Sequence, residues 1–150
     1  MTRVRRSRVL GVPLEQVWEV VADAHHQPRW WPGVQRMEGV SDEAFTQVHL
    51  TKKGRPVRID FTVVDSETPH RRAWRQEVEG TPFERVLTEA LTEIQLEPEG
   101  ERTKVTIELR QQLRGYSRTG GFMLRRASRR RLEEALQWRE RACGGDPDAR

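Results

Sequence analysis

From Gly33 to Leu113 the apolar residues recur at every second position, over about 80 residues with turn signals between the runs, which is the period of half-buried strands. A helical bundle cannot be built on that pattern, so the centre of the chain reads as antiparallel sheet. The runs fall at 34–40, 44–53, 57–64, 72–80, 84–100 and 103–113. In the third, Val57, Ile59, Phe61 and Val63 share one face and Arg58, Asp60 and Thr62 the other. In the fourth, Trp74, Gln76 and Val78 are in phase. The fifth is long, and its alternation slips between Leu87/Leu91 and Ile94/Leu96, which predicts a bulge. PEGERT, with Gly100, makes the loop to the sixth.

Helical periods flank the sheet. Leu14, Val17, Trp18 and Val21 follow Pro13 at i, i+3, i+4 and i+7 and predict a helix over 13–23, where proline suits the first turn. Asp23 suits the cap of a second short helix ending near Trp31, before Pro32 and Gly33 turn the chain. Leu124, Ser128, Leu132, Ala135, Leu136 and Ala142, with Phe122 and Met123 at the entry, form the apolar stripe of a long helix from Thr119 to Ala142. Residues 3–10 read as an edge strand. The expected fold class is α+β: one domain over 1–143, with a flexible tail at 144–150. A long helix across a curved sheet leaves a cavity between them, the usual place for a small molecule.

Apolar residues are 35% and charged residues 33% of the chain, so apolar material must be concentrated on a few faces. Nothing approaches the roughly 20 consecutive apolar residues of a membrane span, and MTRVRRSRVLGV lacks the apolar core of a signal peptide. Cys143 stands alone, so no internal disulfide forms, and a spare thiol fits a reducing, cytoplasmic setting. The net charge of +4 is uneven: residues 3–8 hold four Arg and no acid, and residues 114–131 hold seven Arg and no acid. Such a face is either solvated or able to meet a polyanion such as nucleic acid or the ribosome, but no nucleic-acid-binding motif accompanies it. His25 and His26 are adjacent, point about 100° apart in a helix and lack further ligands, so no metal site is expected. Triad, phosphate-loop and dinucleotide motifs are missing, and no cofactor is implied.

VPLEQVWEVVADAHHQPRWWPGV resembles the opening of START-like (SRPBCC) domains of the polyketide cyclase/dehydrase branch, through Pro13, Val17, Trp18, Asp23, Trp31, Pro32 and Val34. The resemblance implies a helix-grip fold. In that fold a curved seven-stranded antiparallel sheet wraps a long C-terminal helix, two short helices lie between the first two strands, and the first strand sits beside the last. It places Trp18 as an anchor of the first helix, and Trp30 and Trp31 as caps of the cavity. Neighbours on a tight turn are not expected to face one core together. For a hydrophobic or amphipathic ligand (a lipid, polyketide or isoprenoid), the expected contacts are Trp30, Trp31, Phe61, Trp74, Gln76, Val78, Ile107, Phe122 and Leu132.

Members of that family also cyclise and dehydrate polyketides, largely by positioning a flexible chain beside a few proton-transfer groups. His49, Glu89 with its strand neighbour Glu93, and Tyr116 are the candidates here, each with solvent exposure or ordinary packing as the alternative. Three functions therefore compete: a binding module for a small hydrophobic molecule, a cyclase or dehydratase, and an interaction protein of the ribosome- or quinone-associated type. The last would work through the arginines at 114–131, Arg125, Arg126, Arg129 and Arg130 among them.

Overall fold

The computed structural model describes residues 2–114 and 129–136. Strand β1 (Thr2–Leu10) leads into helix α1 (Leu14–Ala22), a single 3-10 turn (Ala24–His26) and helix α2 (Gln27–Trp30). Six strands follow: β2 (Val34–Glu38), β3 (Ala44–Leu50), β4 (Pro56–Glu67), β5 (Arg71–Gln76), β6 (Leu87–Glu99) and β7 (Arg102–Leu113). Residues 129–136 are helical and are designated α3. They are the described part of the helix expected from Thr119 to Ala142. Phe122, Arg125, Arg126, Tyr116 and Cys143 lie outside the described residues.

These seven strands form one antiparallel sheet in the order β1-β7-β6-β5-β4-β3-β2. The first strand pairs with the last, from Thr2 opposite Gln111 to Leu10 opposite Thr103. This is the arrangement the resemblance implies. The loop after β1 is tied to the far strand, because the Thr103 hydroxyl donates to the Val12 carbonyl at 2.7 Å in a buried position.

Pro13 starts α1 from just outside it, its carbonyl accepting from the Gln16 and Val17 amides at 3.1 and 3.2 Å. Val17, Trp18, Val20 and Val21 are buried, and the helix rests on β6 and β7. Asp23 caps the 3-10 turn as expected, accepting from the His25 amide at 3.0 Å. Its side chain also meets the His25 ring at 2.8 Å. Burial works to raise the Asp23 pKa, but the two His25 hydrogen bonds prevail and hold it below its ordinary value. From α3, Leu132, Ala135 and Leu136 enter the core at i, i+3 and i+4, while Arg129 and Arg130 are exposed.

The two faces of the sheet differ chemically. Outward, the carboxylates of Glu93 and Glu108 stand opposite each other across β6 and β7. Like charges so placed repel, and arginines offset them. Arg3 and Arg110 each reach Glu108 at 2.7 Å, and Arg71 bridges Glu93 at 3.0 Å and Asp65 at 2.9 Å. Inward, Val4, Leu10, Ile94, Leu96, Val105, Ile107 and Leu109 form the core with α1 and α3.

Three sequence expectations that bear on the site are corrected by the structure. The fourth predicted strand ends at Gln76 rather than Gly80, so Val78 lies beyond it, buried in a separate small cluster with Leu87 and Ala90. The irregularity in β6 falls between Leu87 and Glu89, earlier than the slip in alternation suggests. Trp30 and Trp31 both enter the same core, against the expectation for adjacent residues. The helix ends between them: Trp30 closes α2 and Trp31 is extended (φ −91°, ψ 126°), so the two indoles meet edge to face at 5.5 Å.

Candidate functional site

A cavity of about 250 Å³ opens between the sheet and α3, on the β3–β5 side of the core. Its apolar wall is aromatic. Trp31 from the turn after α2 meets Trp74 of β5 at 6.3 Å edge to face, and Phe61 of β4 stacks on Phe45 at 5.2 Å. Phe83 and Leu109 extend this wall. The polar lining residues are Gln47, His49, Thr51, Gln76, Thr92, Gln111 and, from α3, Arg131, with Gln76 directly across from Phe61 and Thr92 from Trp74.

Alternation within each strand delivers these groups. On β3, Phe45, Gln47 and His49 point inward at i, i+2 and i+4, and on β5, Trp74 and Gln76 do so. Gln47 is fully buried and needs partners, which it finds on both sides. Its Nε2 donates to Oε1 of buried Gln27 at 2.6 Å, and its Oε1 lies 3.0 Å from Nε2 of His49. An amide oxygen only accepts, so in this arrangement His49 carries its proton on Nε2. A polar chain thus runs from α2 through β3 to the cavity.

His49 is further fixed by the turn before β2. Gly33 adopts φ +81°, a conformation that side-chain-bearing residues rarely take, and a Cβ there would come within 3.2 Å of His49 Nδ1. Glycine lets the backbone approach the ring, and a hydrogen bond with the Gly33 backbone favours the protonated imidazole. Burial opposes it, as does the positive charge of Arg131, and together they hold His49 below its ordinary value of 6.5. At neutral pH the ring is uncharged and one nitrogen can serve as an acceptor.

Gln76 presents a different case. Its Nε2 is buried on the cavity wall and has no hydrogen-bond partner among the described residues. A buried donor without a partner is costly in a closed protein, so this amide is available to a ligand or to water.

Of the residues expected to contact a ligand, Trp31, Phe61, Trp74 and Gln76 are on the cavity wall. Trp30, Val78, Ile107 and Leu132 are buried but are not among the lining residues, and Phe122 lies outside the described residues. Trp30 backs Trp31 and faces a second recess, shared with Pro28, Arg29 and Glu134. Ile107 and Leu132 are core packing, both fully excluded from solvent. Among the proton-transfer candidates, His49 is on the wall, while Glu89 is exposed beside the β6 irregularity and away from the cavity. Glu93 is on the opposite face, beneath Arg71. Tyr116 lies outside the described residues. No group of three or more His, Cys, Asp or Glu residues able to hold a metal occurs among the described residues, and no described helix is long and apolar enough to cross a membrane.

The sequence reading missed Gln27, Gln47 and Arg131. For Gln47 the phase with Phe45 and His49 pointed inward, but its polar side chain read as solvent-facing. Gln27 had no such marker, and Arg131 was hidden in an arginine run.

Comparison with solved structures places this architecture. A START superfamily protein from Mycobacterium smegmatis superposes with a TM-score of 0.75 at 13% identity, over 93% of this chain and 95% of that one. A protein from Thermus thermophilus gives a TM-score of 0.72 at 21% identity, over 94% and 96%. The di-domain ARO/CYC StfQ from the steffimycin biosynthetic pathway gives 0.74 at 14% identity, over 95% of this chain and 50% of StfQ. These likenesses are of fold. No curated protein matches the sequence. A family profile described as "Polyketide cyclase / dehydrase and lipid transport" matches residues 1–139, and the chain belongs to that family.

Proposed function

We propose that the protein binds a small, mainly apolar molecule carrying at least one hydrogen-bonding group, enclosed between the sheet and α3. The observation that carries this is the mixed lining of the cavity, in which Trp31, Phe61 and Trp74 are interleaved with Gln47, His49 and Gln76. Aromatic walls hold an apolar body by burial, and a few fixed polar groups set its orientation. The volume of about 250 Å³ falls just below the usual range of ligand sites, about 300 to 1,000 Å³. It suits a one- or two-ring molecule or a medium-length chain better than a two-chain lipid.

Proton transfer to a bound polyketide draws on His49 alone among the described lining residues, with no carboxylate beside it. Enclosure is therefore favoured over turnover. The test is native mass spectrometry with a panel of one- and two-ring aromatics and medium-chain aliphatics, repeated on Trp31→Ala. One-to-one complexes that Trp31→Ala loses are expected. Failure of the whole panel to bind, or binding that Trp31→Ala leaves unchanged, overturns the proposal.

A further inference from the structure

We infer that the molecule held in this cavity is an acid, its anionic oxygen taken by Arg131 and oriented by Gln76. The inference rests on the binding function proposed above and specifies the class of ligand.

It starts from what the cavity wall omits. The sequence contains 23 Asp and Glu residues, yet none is among the described residues that line the cavity. On the outer surface of the sheet several arginines meet acids. Arg3 and Arg110 reach Glu108, Arg58 and Arg36 reach Glu38, and Arg71 spans Glu93 and Asp65. Arg6 of β1 also reaches Glu133 of α3. Arg131 lines the cavity and has no such contact among the described residues. Glu134, three residues further along α3, tempers its charge without forming an ion pair.

The position of Arg131 matters as much as its charge. It lines the cavity while remaining exposed to solvent, and the protein packed around it disfavours the charge enough to lower its pKa from the ordinary value. Guanidinium stays protonated at any pH the fold meets, so the wall keeps a fixed positive charge. His49 registers that charge, since Arg131 is one of the two causes that depress it. A cationic ligand would be repelled, and a neutral one would leave the guanidinium facing an apolar body. A carboxylate, or an enolate or phenolate of similar geometry, would give it a charge-assisted partner, bidentate in the case of the carboxylate. On the same wall Gln76 Nε2 is a second donor, buried and unpartnered among the described residues. Two such donors and no acidic acceptor form an anion-binding pattern.

The experiment compares naphthoate with the corresponding naphthyl alcohol by titration calorimetry, on the wild type and on Arg131→Gln, Arg131→Lys and Arg130→Gln. Naphthoate should bind about tenfold tighter than the alcohol, the size of one hydrogen bond to a charged group. Arg131→Gln should abolish the preference and Arg131→Lys should keep part of it. Arg130→Gln, which alters an exposed arginine off the wall, should leave it intact. Equal binding of acid and alcohol overturns this inference while leaving the cavity function standing. So does an acid preference that survives Arg131→Gln or falls equally with Arg130→Gln, since that charge effect would be general. Binding of neither compound, while other members of the panel bind, also overturns this inference and leaves the cavity function standing; failure of the whole panel overturns both.

Discussion

The inner face of the β6–β7 ladder is built in two ways along one pair of strands. At one end Ile94 faces Ile107 and Leu96 faces Val105, all at most 1% exposed and covered by α1. At the other end Thr92 faces Leu109 and Ala90 faces Gln111, and these residues border the cavity. The backbone pairing is continuous between them. The difference lies in the side chains: branched aliphatics fill one end, while smaller or polar residues leave the other hollow. Stability is concentrated where the inward residues are uniformly apolar, and binding capacity where they are not.

Substitutions can break that contrast. Ile107→Ala removes a fully excluded side chain from the filled end, and unfolding by denaturant should show a loss of about 2–5 kcal/mol, with the range set by how far α1 can settle into the space. If Ile107→Ala costs no more than an exposed substitution, the two ends are not energetically distinct. Across the cavity from the hollow end, on β3, Gln47→Leu strips Gln27 of its donor and His49 of its acceptor. It should cost about 1–3 kcal/mol, the penalty of buried polar groups left unpaired, although leucine is the more apolar residue. An unchanged denaturation midpoint would mean that water already satisfies these groups.

The smallest effect sharpens the contrast through pH. The folded pKa of His49 lies below the ordinary 6.5, first through burial and then through Arg131. The unfolded chain therefore binds this proton more readily. The stability due to the neutral ring is fully present above 6.5 and is lost as pH falls below it. His49→Gln, which keeps a donor for Gln47, should flatten the dependence of the melting temperature on pH in that window. A dependence that persists unchanged in His49→Gln assigns the effect to another group.

The filled end was easy to read from sequence because alternation and hydrophobicity agree there: Val105 and Ile107 mark one face of β7, and Ile94 and Leu96 the matching face of β6. The cavity wall was harder for the same reason. Gln47 in a strand reads as a solvent-side residue until its partner Gln27, 20 positions earlier, is placed beside it. Local pattern also fails where a strand stops. Val78 continues the phase of Trp74 and Gln76 in sequence but lies past the end of β5, and Glu89 sits at a register shift, where alternation loses its meaning. Trp30 and Trp31 show a third limit, since whether neighbours share a core depends on the helix ending between them.

The pairing of β1 with β7 has a consequence for how the chain acquires its structure. Thr2 meets Gln111, a contact that spans most of the sequence. Bringing such distant segments together carries an entropic cost before any contact rewards it, which slows folding. During synthesis the first strand emerges long before its neighbour in the sheet exists. Its four arginines, which repel one another and favour water, keep that waiting edge from pairing with another nascent chain.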